Sequence, residues 1–331
     1  LAVLLAYTKI ALKEWVLAGD LPDDPYLADR LTSYFPQPVR ERFADQIVAH
    51  PLARQIITTV AVNRFVNSQG ITAYHRLSTE TGAQVADVIR AQLAARSIYN
   101  VGLSEVLLGR MNDLDAELVT ELRMELRRMV ERATRWLLHN RRAPLDIRAA
   151  IDEFAEPVAQ IRSGLRERVT PRQSQVVERW YQSWLERGAP EPLAASMSTA
   201  AHAHYALGIA ATARRLSADP ELAGAVFFTL GERLGLDRLV EQIDVLPRQV
   251  RWDAMARAAL RDELLEAQDD LTAAVLRDAP ADADAAALVD AWLQDNPAVQ
   301  GRTATLREVC EGEPDLARMS VGLGVVRSLL A

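Results

Sequence analysis

The segment of residues 50–82 places the strongest constraint on the fold. Its middle, residues 56–62, is so rich in β-branched side chains that propensity alone favours a strand. However, Pro51 suits the first turn of a helix, and the apolar run is longer than most strands. Spacings of three and four residues, typical of one helical face, connect Leu52, Ile56, Val60, Asn63 and Asn67. The segment therefore predicts a buried helix from about Pro51 to Asn67, closed by Gly70.

Asn63 and Asn67 continue this predicted apolar stripe. Their amides should then be buried and hydrogen-bonded, because an unpaired buried amide costs on the order of 1–3 kcal/mol. The simpler interpretation is that the two amides fix the register of neighbouring helices. Contact with a ligand is the alternative.

A second long helix is predicted from about Asp115 to His139. Its apolar side chains again advance by three or four positions, at Leu118, Leu122, Leu126, Met129, Ala133 and Trp136. The other face alternates arginine with glutamate, and Glu131 and Arg135 have the spacing of a favourable ion pair. Such alternation is typical of a solvated helix face, and an anion-binding surface is the alternative.

The rest of the chain also predicts helices, separated by prolines and glycines. There is no convincing pair of strands and no repeat of fixed period, so we expect an all-α multi-helix bundle without a Rossmann domain. The segment 141–144, Arg-Arg-Ala-Pro, is the best candidate for a joint. It predicts two packed helical subdomains, residues 1–143 and residues 144–331.

Local signals predict several individual elements. One helix is expected over residues 39–49. Residues 170–173, Thr-Pro-Arg-Gln, have the form of a capping box, and Trp180 and Trp184 on the helix that follows are expected to anchor the core. Asp219 and Pro220 predict a further helix start. Residues 278–287, rich in alanine and aspartate, predict a mobile surface loop.

Composition limits the class of protein. With 38 basic and 45 acidic residues, the net charge of −7 argues against a nucleic-acid-binding protein as a whole. Cys310 is the only cysteine, which excludes an internal disulfide and favours a reducing, cytoplasmic location. Lys9 and Lys13 interrupt the first apolar stretch too early for a membrane span, and no signal-peptide cleavage site follows. Because the chain begins with Leu inside a predicted helix, we expect it to be a piece of a longer polypeptide.

No motif in the chain carries redox chemistry. The nearest approach to a dinucleotide-binding turn, residues 322–327, lacks the third glycine and has no preceding strand. Lys9 and Lys13 are the only lysines, and both lie on an ordinary amphipathic helix. We therefore expect no catalytic residue and no cofactor-binding residue in this chain.

Metal-ligand patterns are equally weak. His202 and His204 are two residues apart, whereas a pair of ligands on one helix needs a spacing of three or four. No Glu-x-x-His sequence is present, so the usual ligands of a di-iron bundle are missing. We expect no metal site.

Several phrases in the first part of the chain resemble a known family. They are the opening Leu-Ala-Val-Leu-Leu-Ala-Tyr-Thr-Lys, Asp20-Leu-Pro-Asp-Asp-Pro-Tyr-Leu, Tyr34-Phe-Pro, and the stretch from Ile56 to Gly82. Together they are similar to the C-terminal region of the large bacterial NAD-specific glutamate dehydrogenases, most densely over the first 140 residues or so. These phrases are family landmarks and place no chemistry in the chain.

The resemblance implies a parent enzyme that converts L-glutamate, water and NAD to 2-oxoglutarate, ammonium and NADH. NAD would bind in the segment upstream of this chain. The chain itself would brace the catalytic part, mediate assembly as a homo-oligomer, or transmit regulation. The candidate contacts with the upstream catalytic domain are Asn63, Arg64, Asn67 and Arg76. No contact with nucleic acid or membrane is expected.

An independent helical scaffold or adaptor with no enzymatic parent is the alternative. The reading frame upstream of Leu1 discriminates between the two hypotheses, since only the first requires a βαβ nucleotide-binding domain there.

Overall fold

A computed structural model describes residues 2–109, 115–280, 283–296 and 298–330. Within these ranges the regular secondary structure consists of helices and includes no strand, which confirms the predicted all-α class. Contacts divide the chain into two units: unit 1 comprises Leu1–Glu105 and Leu126–Glu153, and unit 2 comprises Val106–Glu125 and Phe154–Ala331. The divisions after residues 105, 125 and 153 each fall inside a helix and do not test a domain boundary at residues 143–144, which stays a prediction.

The helices from the start of the chain to the segment 141–144 are α1 Ala2–Ala18, α2 Pro25–Tyr34, α3 Gln37–Arg42, α4 Ala44–Val48, α5 Ala53–Gln69, α6 Ala73–Thr81, α7 Val85–Ile98, α8 Val101–Gly109 and α9 Ala116–Asn140. A short 3₁₀ helix, Leu21–Asp23, connects α1 to α2. The single helix predicted over residues 39–49 is wrong, because α3 and α4 are separate helices. They are divided at Phe43, whose backbone angles, φ −129° and ψ 32°, are not helical.

The predicted central helix is present as α5, which packs against α1 and α2 in unit 1. Gly70 ends it with φ +88°, a conformation that glycine adopts without strain. The predicted buried stripe is wrong, however: the buried side chains of α5 are Ile57, Thr58, Ala61, Val62, Phe65, Val66 and Gln69. This stripe is rotated from the predicted one by about one residue. Periodicity could not choose between them, because β-branched side chains occur around most of the helix.

Helix α9 follows its predicted pattern closely. Leu118, Leu122, Leu126, Met129 and Ala133 are all buried, and the expected stripe is confirmed at these positions. At the C-terminal end the stripe shifts by one residue, so that Leu137 is buried while Trp136 is only half-buried.

The helices that follow are α10 Ile147–Ser163, α11 Leu165–Arg168, α12 Pro171–Glu186, α13 Glu191–Ser198, α14 Ala200–Ala203, α15 Ala206–Leu216, α16 Pro220–Leu234, α17 Leu236–Asp244, α18 Arg251–Leu276, α19 Ala285–Asp295, α20 Ala298–Glu311 and α21 Leu316–Ser328. In unit 2, α18 packs against α15, α16 and α21. Its aromatic core includes Tyr205, Phe227 and Phe228, whose rings lie 5.3–6.2 Å apart between centroids.

Two predicted helix starts in unit 2 are confirmed. Thr170 and Gln173 form the capping box at the start of α12, and Asp219 caps α16 by accepting a hydrogen bond from the backbone of Leu222. Trp184 is buried as expected, but Trp180 is 45% exposed and is not a core anchor. The two indoles lie on neighbouring faces of α12, and only one of those faces is covered.

The alanine-rich segment is shorter than predicted. Asp284 caps α19, which therefore begins at Ala285, inside the loop predicted for residues 278–287. Residues 281–282 of that prediction lie outside the described residues.

Asp269 on α18 lies in an unfavourable environment for a carboxylate. Its Oδ1 atom is shielded from solvent and has no hydrogen-bond partner among the described residues, and a Cβ atom on Gly208 of α15 would collide with the carboxylate. Burial raises the pKa of Asp269 well above its usual value, and the neighbouring Asp270 adds to this, while Arg215 opposes it.

Replacing Asp269 with Asn should therefore stabilise unit 2 at neutral pH. Because the folded-state pKa is raised, the fold is most stable below the unfolded pKa, where the side chain is a neutral carboxyl group, and it loses stability as pH rises from the unfolded pKa to the folded pKa. The advantage of Asp269→Asn in urea denaturation should be larger at pH 8 than at pH 4. Asp278→Asn is the control, because Asp278 is an exposed aspartate just after the end of α18 with no ion pair among the described residues, and it should change stability little. Equal effects of the two variants at pH 8 would show that burial of Asp269 does not destabilise the fold.

Candidate interdomain surface

The predicted contact residues on α5 are more accessible than the sequence indicated. Asn67 is exposed and Asn63 is half-buried, so the prediction that both amides are buried is wrong. The reason is the rotated buried stripe of α5, which turns both asparagines away from the core. Their role as contact residues stays a prediction.

Arg64, also on α5, is a half-buried cation. Within the described ranges its side chain has no hydrogen bond and no ion pair. Burial lowers the pKa of Arg64, and repulsion from Arg96 and Arg30 lowers it further. The nearest compensating charge is already engaged, since Glu105 accepts a hydrogen bond of 2.6 Å from Arg96. Two positive charges and one negative charge thus act on Arg64.

Arg76 is held differently. Its Nε and Nη2 atoms donate to the two carboxylate oxygens of Glu131 on α9 at 2.9 and 2.5 Å. Arg135 on α9 is buried and paired with Glu80 of α6, with Glu131 3.9 Å away. The prediction that Arg135 belongs to a solvated face is thus wrong, because α6 covers that part of α9. Arg76 belongs to the same network of ion pairs within unit 1.

The exposed face of α1 was not predicted from the sequence. Val3, Leu4, Tyr7 and Ile10 are each more than half exposed, and Trp15 is 53% exposed beside the ring of Tyr74. A signal was available, because residues 2–6 are uniformly apolar and an all-round hydrophobic helix is normally buried. An exposed apolar face of this kind typically marks an interaction surface.

The residues that the sequence analysis discounted as cofactor or metal ligands lie in helices or beside aromatic rings. Gly322 and Gly324 lie inside α21, so they form no phosphate-binding turn between a strand and a helix. His202 is half-buried on α14, and His204 is buried with its ring 4.3 Å from that of Tyr205. Across the described residues no group of three or more histidine, cysteine, aspartate or glutamate side chains is placed to bind a metal ion. Nor does any described helix combine the length and apolar character needed to cross a bilayer.

Comparison with known proteins identifies the family. The family model described as "Glutamate dehydrogenase, C-terminal" matches residues 1–328, almost the whole chain. The chain belongs to this family, and the resemblance found in its sequence is confirmed.

Three relatives are each named NAD-specific glutamate dehydrogenase. The protein from Mycobacterium tuberculosis is 33% identical over 332 aligned positions, which cover 99% of this chain and 20% of the relative. The Halomonas elongata protein is 33% identical over 294 positions, covering 88% and 18%, and the Pseudomonas aeruginosa protein is 31% identical over 314 positions, covering 93% and 19%. The chain thus spans about a fifth of the length of the relatives it matches.

The buried ion pair between Glu80 and Arg135 should be important for the stability of unit 1. Glu80→Gln removes the carboxylate that pairs with the buried Arg135 guanidinium, so the free energy of unfolding should fall by about 3 kcal/mol. Urea denaturation followed by circular dichroism measures this loss.

Asp29→Asn is the matched control, because the Asp29–Arg148 pair is exposed and its loss should cost less than about 0.5 kcal/mol. If the two variants lose the same stability, the Glu80–Arg135 pair is no more important to the fold than an exposed ion pair.

Proposed function

We propose that this chain is the C-terminal helical part of an NAD-dependent glutamate dehydrogenase, which converts L-glutamate, water and NAD to 2-oxoglutarate, ammonium and NADH. The family membership and the names of the relatives support this assignment. In this proposal the chain carries no catalytic centre of its own. It braces the catalytic part, mediates assembly or transmits regulation.

NAD binds upstream of this chain in the proposed enzyme. The described residues do not suit the cofactor, because the glycines nearest to a dinucleotide-binding pattern lie inside α21. A nucleotide pyrophosphate needs free backbone N–H groups at a turn before a helix, whereas helical residues use these groups in their own hydrogen bonds. We therefore assign no step of the reaction to this chain.

The exposed apolar face of α1 is the observation that carries the proposed role. This chain matches about one-fifth of the length of each relative, and the family description places the matching part at the C-terminus. The remaining four-fifths lies outside the match. The upstream catalytic domain is thus the occupant proposed for the Val3, Leu4, Tyr7 and Ile10 surface. Asn63, Arg64, Asn67 and Arg76 remain the proposed polar contacts, with Arg64 best suited to receive a carboxylate.

Two further elements of the proposal concern the whole enzyme. We propose a homo-oligomer, in which the helical part contributes to assembly. A cytoplasmic location is supported by the single cysteine, which fits a reducing compartment.

Placing a charge on the α1 face should impair docking to the catalytic domain. Ile10→Glu, made in the full polypeptide that carries this chain, should weaken the docking equilibrium by roughly tenfold or more, because burying an isoleucine contributes about 1.5–3 kcal/mol. The expected results are a lower rate of NADH formation from glutamate and faster proteolytic release of the helical part.

Val321→Glu is the matched control, since Val321 on α21 is similarly exposed, at 57% against 53% for Ile10. Circular dichroism should show that both variants keep their helix content. Unchanged activity and unchanged proteolysis in Ile10→Glu would exclude the α1 face as the docking surface.

Arg64→Met should have opposite effects on the isolated chain and on the whole enzyme. In the isolated chain the change removes a half-buried cation that has no described partner, so thermal stability should stay the same or rise. In the full polypeptide it should weaken the contact with the catalytic domain and lower NADH formation. A loss of stability in the isolated chain would indicate that Arg64 has a structural role instead.

The broadest test compares NADH formation from glutamate by three polypeptides: the full protein, a version ending before Leu1, and this chain alone. We expect no activity from this chain alone. If the shortened version stays folded and fully active, the helical part is an accessory or regulatory attachment. If it loses activity or assembly, the helical part is a brace. Activity in the chain alone would overturn the proposal, and the absence of activity from the full protein would favour the independent scaffold.

A further inference from the structure

Unit 2 contains an open cavity of about 430 Å³ that the proposed brace does not use. Its walls come from three places in the chain: the start of α12, the connection from α16 to α17, and the middle of α20. The volume falls within the range of about 300–1,000 Å³ that is typical of small-molecule sites.

The cavity lining is rich in arginine. Arg172, Arg233, Arg238 and Arg307 line it, against two acidic residues, Glu232 and Asp237. Four arginines among the lining residues can provide many hydrogen-bond donors to one cavity.

Two of these arginines are oriented by carboxylates that lie outside the lining. Arg172 contacts Glu241 of α17 through Nη2 at 2.7 Å, and Arg233 contacts Asp290 of α19 through Nε at 2.9 Å. These partners fix the two side chains at the edge of the cavity.

The side-chain N–H groups of the other two arginines, Arg238 and Arg307, are available as hydrogen-bond donors. Among the described residues, the side chains of Arg238 and Arg307 form no hydrogen bond or ion pair. Asp237, the nearest acid in sequence, is already satisfied: it accepts hydrogen bonds from the Thr170 hydroxyl at 2.7 Å and from the backbone N–H of Arg238 at 2.8 Å.

Cys310 adds no negative charge to the cavity. Burial raises the pKa of its thiol, and Asp237 contributes in the same direction, against the opposing effects of Arg238 and Arg172. The thiol therefore stays neutral at physiological pH, and the cavity offers donors without a competing thiolate.

We propose that this cavity binds a small organic anion through Arg238 and Arg307, with Arg172 and Arg233 at its edge. The planar guanidinium group binds the paired oxygens of carboxylate and phosphate groups, so these two groups define the ligand class. The proposal is independent of the role assigned to α1, because the cavity and the α1 face belong to different units.

Calorimetric titration of the full polypeptide with inorganic phosphate and, separately, with succinate tests the proposal. Ionic strength is held constant with sodium chloride, because exposed charges are screened by salt. We expect saturable binding of at least one probe, and the probe that binds distinguishes a phosphate ligand from a carboxylate ligand. Arg238→Gln combined with Arg307→Gln should weaken that binding by at least about tenfold, given the strength of charge-assisted hydrogen bonds.

Arg179→Gln is the matched control, because Arg179 is an exposed arginine of α12 that does not line the cavity and has no described partner. It should change the affinity less than about twofold. Circular dichroism establishes that every variant is folded. The proposal fails if neither probe binds saturably to the unaltered protein, or if the single control weakens binding as much as the double variant does.

Discussion

The structure of unit 1 depends on the requirement that a buried arginine be paired with a carboxylate. All but two of the 38 basic residues in the chain are arginines. A buried arginine cannot lower the cost of burying its charge by losing its proton. Arg90 on α7 satisfies the requirement with Asp20 at 2.9 Å, Asp24 at 3.3 Å and Asp87 at 3.8 Å. The first two acids lie in and beside the connection between α1 and α2, so Arg90 fixes that connection against α7. Its hydrogen bond also lowers the pKa of Asp20.

The same requirement separates structural arginines from candidate contacts. Arg90 and Arg135 have carboxylates from other helices beside them, and their positions are explained by the chain itself. Arg64 is half-buried among like charges and has no such carboxylate in the described residues. A desolvated charge without a partner is unfavourable. For this reason breaking a buried ion pair is costly, and an unpaired half-buried cation favours an incoming anion. Arg64 therefore stands out by what surrounds it, and its place in the sequence alone gives no sign of this.

Helix starts were predictable from the sequence because their signals are local. The capping box at Thr170 and the aspartate cap at Asp219 need only three or four residues to be recognised, and both are present. Which face of a helix is buried depends instead on its neighbours. In α5, apolar residues on several faces left two possible stripes, and the choice depends on contacts with α1 and α2. Likewise, the charge pattern of α9 could not show that α6 covers Arg135, since that contact joins residues 55 positions apart.

Two groups in unit 1, the apolar face of α1 and the Arg64 guanidinium, are incompletely satisfied by the described residues. The first half of α1 is apolar on nearly every side, yet four of its large side chains remain more than half exposed. A helix with that composition lowers its free energy by entering a core, and unit 1 does not provide one for this face. Arg64 forms no ion pair among the described residues, and Glu105, the one acid recorded near it, is paired with Arg96. An apolar partner surface would bury the α1 face, and an acidic partner side chain would neutralise Arg64. A partner that has both an apolar surface and an acidic side chain is a more specific requirement than an apolar surface alone. Without the acid, the guanidinium would be further desolvated and still unpaired.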